Sequence, residues 1–258
     1  MNPASEKNIY IYNKVCSDKD LNTLYSFCKS VEDQDWVESF FYRDGKSNLY
    51  PDKKTNLHNH NPILKQIMDN VLAFIINSIE WNYGTRIIHR YHDSIRKMSL
   101  GGEIIPHADN ELNDGTFFSI QYTKEFANTK NDFETYLPNE FVEYSSIFYI
   151  NDDYEGGEIC FPDYNLEIKP EAGSVVFFPS NSKYIHAVKK VIKGDRYAVP
   201  SLWYSEKAVI LNSIAPYPYA QEIVEKQFMN KFVESKLDLP RSFIQQDLDL
   251  KKSFIQNS

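Results

Sequence analysis

The stretch SIFYINDDYEGGEICFPDYNLEIKPEAGSVVFFPS, residues 146–180, decides the fold. It breaks into short apolar runs, SIFYIND, GGEICFP, LEIKP and GSVVFFPS, separated by Gly, Pro and Asn. Such runs are too short for helices, and their Val, Ile, Phe and Tyr suit a pleated surface. Turn-punctuated strands at this cadence predict a sandwich or jelly roll.

The same cadence extends both ways, through RIIHRYHD and SIRKMSL upstream and YIHAVKKVIKG and RYAVPSLWYS downstream. Near the start, IYIYNKV alternates as a short strand does. Elsewhere the period becomes helical. In SDKDLNTLYSFCKSV, Ser17 is an N-cap ahead of Leu21, Leu24, Tyr25 and Cys28 on one face. In NPILKQIMDNVLAFIINSIEW, Asn61 caps, Pro62 takes the first helical position, and Ile63, Ile67, Val71 and Ile75 recur at four-residue spacing. A helical pattern returns in YAQEIVEKQFMNKFVES. The expectation is a mainly β chain with flanking helices, an α+β protein read as one domain over 1–258. Residues 1–84 form its N-terminal helical support, 85–206 its jelly-roll core and 207–258 its C-terminal helical extension. Within the core, residues 111–143 are polar and acidic with scattered aromatics and fit no strand cadence. A loop of that length beside a site serves either as a lid or binding loop, or as plain surface.

Bulk properties narrow the function. A hydrophobic content of 42% with 15% aromatics is too rich for a disordered chain. A formal charge of −8 disfavours a chain-wide grip on a phosphate backbone, so nucleic acid is not the expected partner. Cys16, Cys28 and Cys160 make an odd count without a CxxC pair, which suggests neither a disulfide framework nor a thiolate zinc site. With no apolar leader and no membrane-length apolar run, the reading is a soluble, cytoplasmic protein without a membrane partner. Oligomeric state is not legible.

Chemistry gathers first at EIIPHADNE, residues 103–111, where His107 and Asp109 stand two apart. On a strand edge, positions i and i+2 share a face, so an imidazole and a carboxylate there supply two adjacent metal ligands. Taken alone, the pair is as well explained by a polar turn in which Asp109 caps backbone amides. A non-haem Fe(II) facial triad needs a third ligand, usually another His. His58, His60, His89, His92 and His186 are the remaining histidines. His186 lies in a strand-like run after VVFFP, and Arg196 follows ten residues later in the next one. An antiparallel turn would bring Arg196 back beside the His186 strand, deep in the core, where an unpaired cation is costly. A dicarboxylate or oxoacid would satisfy it through two parallel hydrogen bonds.

The ordered series of HxD, YINDDYEGGEICFP, LEIKPEAGSVVFFPS, His and Arg resembles the Fe(II)- and 2-oxoglutarate-dependent dioxygenases, on their prolyl-4-hydroxylase-like branch. The resemblance covers roughly residues 88–205. It implies a double-stranded β-helix core, with His107, Asp109 and His186 as iron ligands and catalytic centre. Arg196 would pair with the distal carboxylate of 2-oxoglutarate, assisted by the hydroxyl of Tyr149. Gly156 and Gly157 match the GGE turn, and Trp203 an aromatic on the last core strand. Met98 stands where many relatives have a cosubstrate-binding tyrosine. The implied reagents are Fe(II), 2-oxoglutarate and dioxygen, with ascorbate as reductant. The implied reaction hydroxylates a C–H bond of a peptidyl proline or another amino-acid residue in a peptide or protein, releasing succinate and CO2. Oxidation of a free small molecule is the alternative within the same chemistry, and a non-catalytic jelly-roll binding protein the alternative outside it. Against nucleobase oxidation stand the acidic balance and the lack of any arginine between Arg196 and Arg241.

Overall fold

In the computed structural model, residues 7–43, 46–91, 94–110 and 142–205 are described, the side chains of 39–50 and 88–91 excepted. The C-terminal extension, and the 111–143 insertion apart from its last two residues, lie outside them. All described residues fall in one compact unit, Met1–Ala208.

Two helices form where capping and period agree. The first, α1 (Asp18–Ser30), is closed by Ser17, whose hydroxyl accepts from the Asp20 amide. The second, α2 (Pro62–Tyr83), starts at Asn61, whose side chain accepts from Ile63 and Leu64 N–H, and ends at Gly84 in the left-handed region. Its buried stripe is Leu64, Ile67, Met68, Val71, Leu72, Ile75 and Ile79, whereas Ile63 is 67% exposed. A strict four-residue repeat drifts about 40° per step on a 3.6-residue helix, so the true stripe alternates steps of three and four. No helix among the described residues is long and apolar enough to cross a membrane.

The strands are β1 (Tyr10–Tyr12), β2 (Val37–Arg43), β3 (Lys46–Thr55), β4 (Ile87–Tyr91), β5 (Ile95–Met98), β6 (Ile104–His107) and β7 (Tyr144–Tyr149). They continue with β8 (Glu155–Gly156), β9 (Ile159–Phe161), β10 (Leu166–Ile168), β11 (Val175–Pro179), β12 (His186–Val188), β13 (Val191–Lys193) and β14 (Arg196–Ser205). A major sheet runs β1-β11-β7-β14-β5-β3-β2, with β4 also on β14, and a minor sheet runs β10-β9-β12-β6. The short pair β13-β8 stands apart from both.

Alternation along each strand of the major sheet separates two cores. Phe148, Val175, Phe177, Tyr197, Val199 and Trp203 face α1 and α2. Ile147, Tyr149, Val176, Phe178 and Ala198 face Ile159, Phe161 and Ile168 of the minor sheet. The second core is the interior of the jelly roll. Even β1 obeys the alternation: Tyr10 and Tyr12 stack on Phe177 at 5.4 and 5.6 Å, while Ile11 between them packs on the interior core. Trp203 is fully buried among the helices, its indole N–H satisfied by Ser146 Oγ at 2.8 Å, so it supports the core without reaching the interior.

Three expectations need correcting. The segment before residue 85 is not helical support alone, because β2 and β3 form a long hairpin that β3 joins to β5. The run YIHAVKKVIKG is two strands with different partners, β12 on β6 and β9, β13 on β8. Consequently Arg196 does not return beside the His186 strand: β14 belongs to the opposite sheet, where Arg196 pairs with Met98. Gly194, at φ 78°, turns the chain there, a conformation that costs other residues about 1–2 kcal/mol.

Candidate active site

His107 ends the edge strand β6 and is paired in register with His186 on β12. Pro106, with no N–H to donate, is tolerated there because β6 has a neighbour on one side only. Asp109 lies just past the strand end, so its approach to the histidines is set by the following bend rather than by strand alternation. Ser180 holds that bend, its carbonyl accepting from both Asp109 N at 3.0 Å and Asn110 N at 3.2 Å.

The ligand atoms of His107, Asp109 and His186 lie within 4.8 Å of one another. Asp109 oxygens are 3.5 Å from His107 Nε2 and 3.6 Å from His186 Nε2, and the two imidazole rings are 4.3 Å apart. Each Nδ1 is placed against a backbone carbonyl, His107 on Ile105 O at 2.9 Å and His186 on Tyr184 O at 3.1 Å. Donation from Nδ1 leaves the lone pair on Nε2, the atom turned toward Asp109. A first-row ion bound at about 2.0–2.2 Å in right-angle geometry separates its ligand atoms by about 3 Å. The triad therefore fits a divalent metal once its ligand atoms draw in toward that spacing, and its two-imidazole, one-carboxylate donor set suits non-haem Fe(II).

The surroundings favour that charge arrangement. Burial, and then His107, push the His186 imidazole down to about 4, so it is a neutral ligand near pH 7. Burial would raise the Asp109 carboxyl, but His186, His107 and the Ser145 hydroxyl outweigh it and hold Asp109 ionised. Ser145 Oγ donates to Asp109 and sits 2.7 Å from Ser180 Oγ. Phe178 and Phe161 close over His186 at 4.6 and 5.9 Å. His186 has only 5% of its side chain exposed, against 25% for His107 and 18% for Asp109, so the cluster opens on the His107 and Asp109 side.

Arg196 is 4% exposed and forms no ion pair among the described residues, so it is a buried cation and not part of a surface salt bridge. Its guanidinium lies over the Tyr149 ring, 4.9 Å from the centroid. Tyr149 faces Ala198 across β7 and β14, which makes it a diagonal neighbour of Arg196 on the interior face. Arg196 Nε, Tyr149 Oη and Tyr154 Oη are all buried without a hydrogen-bond partner among the described residues. Three unsatisfied polar atoms together are expensive and mark a place that a polar ligand completes. Met98, opposite Arg196 and fully buried, packs with Val188 and Val191 and offers no hydrogen bond.

Strand β7 links the two places. Ser145 touches Asp109 and Tyr149 underlies Arg196, both on the same face four residues apart, about 13 Å along the strand. Of the other histidines, His58 and His60 sit in the turn Leu57–His60 before α2, outside the cluster. His92 and the side chain of His89 lie outside the described residues. Sequence reasoning missed Ser145, Ser180 and Tyr154. Of the three, Tyr154 left the clearest trace, as the aromatic two residues before the GGE turn of Gly156, Gly157 and Glu158.

Residues 87–205, somewhat under half of the chain, match the 2OG-Fe(II) oxygenase superfamily. That matched stretch holds His107, Asp109 and His186 together with Tyr149, Tyr154 and Arg196. Among curated proteins, prolyl 3-hydroxylase 2 of Homo sapiens is 41% identical over 70 residues, covering 25% of this chain and 10% of that protein. Prolyl 3-hydroxylase 1 of Gallus gallus is 40% identical over 70 residues, with the same two coverages. The match thus spans about a tenth of the length of these relatives. Among solved structures, a prolyl hydroxylase from Trichoplax adhaerens in complex with a hypoxia inducible factor peptide fragment is 17% identical. It shares the fold at a TM-score of 0.57, over 81% of this chain and 89% of that one.

Proposed function

We propose that this chain is an Fe(II)- and 2-oxoglutarate-dependent dioxygenase that hydroxylates a C–H bond of a peptidyl proline or other amino-acid residue. The observation that carries this reading is one jelly-roll interior lined by both a two-histidine, one-carboxylate cluster at the minor sheet and a buried arginine, without an ion pair among the described residues, on the major sheet. His107, Asp109 and His186 would hold the iron, and Arg196 would receive the distal carboxylate of 2-oxoglutarate with the Tyr149 hydroxyl donating beside it. Bound together, the iron and 2-oxoglutarate would supply the electrons that activate dioxygen, the cosubstrate being oxidised to succinate and CO2 and ascorbate keeping the iron reduced.

The chain's own residues bind, orient and shield. Asp109 is held ionised by His186 and His107 with help from the Ser145 hydrogen bond, and the backbone carbonyls fix the tautomer of both imidazoles. Phe161 and Phe178 exclude water on the His186 side. The substrate then approaches from the more open His107 side. A peptide substrate is favoured because the relatives matched at 40% identity or above are named prolyl 3-hydroxylases, which leaves the position on the ring to experiment.

The test is succinate release from 2-oxoglutarate with iron and ascorbate, run with proline-containing peptides and mass analysis for one added oxygen atom. We expect His107→Ala and Asp109→Ala to abolish turnover, and Arg196→Ala to raise the 2-oxoglutarate requirement severely while metal binding persists. Turnover surviving either ligand substitution overturns the triad. Turnover of the cosubstrate with no response to any peptide assigns the chain to small-molecule oxidation instead.

A further inference from the structure

Tyr154 is 2% exposed, and its hydroxyl has no hydrogen-bond partner among the described residues. It lies beyond the end of β7, in a segment anchored by Asn151. The Asn151 amide donates to Asp195 O at 2.8 Å, and its carbonyl accepts from Tyr197 N at 2.7 Å, which ties this segment to the start of β14. Tyr154 is thereby pressed against Arg196. A Cβ on Gly157 would stand 3.0 Å from the Tyr154 ring and 3.1 Å from Arg196 Cδ, so the glycine makes room for both side chains. The guanidinium thus has the Tyr149 ring beneath it, and it also lies near enough to the Tyr154 phenol to act on its ionisation.

We propose that Tyr154 is a further cosubstrate-binding residue, its hydroxyl donating a second phenolic hydrogen bond to the distal carboxylate held by Arg196. The proposal rests on the 2-oxoglutarate reading above and deepens it. The chemistry is one-directional: Arg196 and the two phenols are donors, and a carboxylate has about four lone-pair positions to accept them. Burial pushes the Tyr154 phenol up to about 12, with Arg196 working the other way, so it keeps its proton near neutral pH. With Met98 opposite Arg196 contributing no polar atom, Tyr154 supplies a donor that the β5 side of the pocket lacks. Leaving such a hydroxyl unpaired costs the ligand-free protein stability, which points to a role in binding.

The experiment is calorimetric titration of the full chain, loaded with Mn(II) so that no turnover occurs, with 2-oxoglutarate and separately with oxalate, which has no distal carboxylate. Tyr154→Phe is expected to weaken 2-oxoglutarate roughly tenfold or more and to leave oxalate unchanged. Without ligand, its melting temperature should equal or exceed that of the wild type, because an unpaired buried hydroxyl has been removed. Arg196→Ala should lose 2-oxoglutarate and keep oxalate. Unchanged 2-oxoglutarate affinity in Tyr154→Phe, or an equal loss for oxalate, overturns the proposal while leaving the cosubstrate reading intact. Failure of the wild-type protein to bind 2-oxoglutarate overturns both.

Discussion

Ser145 is one serine among many in the sequence, yet its hydroxyl donates to Asp109 and meets Ser180 Oγ at 2.7 Å inside the core. Without it, Asp109 would keep its backbone bond to Ser180 but lose the hydrogen bond that orients its carboxylate. Ser145→Ala should therefore weaken Fe(II) or Mn(II) binding roughly 10–100-fold while leaving the melting temperature nearly unchanged. Metal titration followed by calorimetry measures the first and a thermal melt the second; undiminished metal affinity would show that Ser145 is only packing. His107, Asp109, His186 and Arg196 were legible because their side chains have few other uses in a β core at that order and spacing. Ser145 and Tyr154 were not, because a hydroxyl on a strand or a tyrosine in a turn becomes functional only through what lies across the sheet.

At the scale of elements, the short ladder of β8 and β13 governs where Arg196 begins. Gly156 is at φ 76°, and a Cβ there would meet Lys190 O at 2.0 Å, backbone against backbone. Gly101, at φ 86°, has nothing within 4 Å of the same position. Gly101→Ala should cost about 1–2 kcal/mol from backbone conformation alone. Gly156→Ala should cost clearly more, about 3 kcal/mol or above, because the ladder must also move. Urea unfolding of the two variants measures the difference, and equal losses would mean that the Lys190 contact yields freely. Helices α1 and α2 were legible because caps and apolar period point the same way. The β2 and β3 hairpin was passed over although Asp44 and Gly45, a strong turn dipeptide, stand between its strands. Its flanking strands mix charged and aromatic residues without the alternation of a half-buried sheet, since β2 is an edge strand and only the end of β3 pairs with β5.

At the scale of the whole unit, Asp52 on β3 and Arg96 on β5 join the hairpin to the jelly roll. They form an ion pair at 3.1 Å with side chains only 8% and 7% exposed. Burial raises the Asp52 carboxyl, and the attraction of Arg96 only partly offsets it. Removing Asp52 takes a buried counter-charge from Arg96: Asp52→Ala should cost about 3–5 kcal/mol. Replacing both, as Asp52→Leu with Arg96→Met, should cost much less. A double-mutant cycle in urea gives the coupling, and additive losses would mean that the pair does not couple.

The fold class, the two capped helices, the candidate ligands and the buried arginine were determined by the sequence alone, because residue type, spacing and turn chemistry are local properties. Which sheet Arg196 joins, which hydroxyl steadies Asp109 and which phenols flank the guanidinium were decided only by the tertiary structure. Each of these depends on strands far apart in the chain meeting in one register, and a one-residue shift would turn every such side chain to the other face.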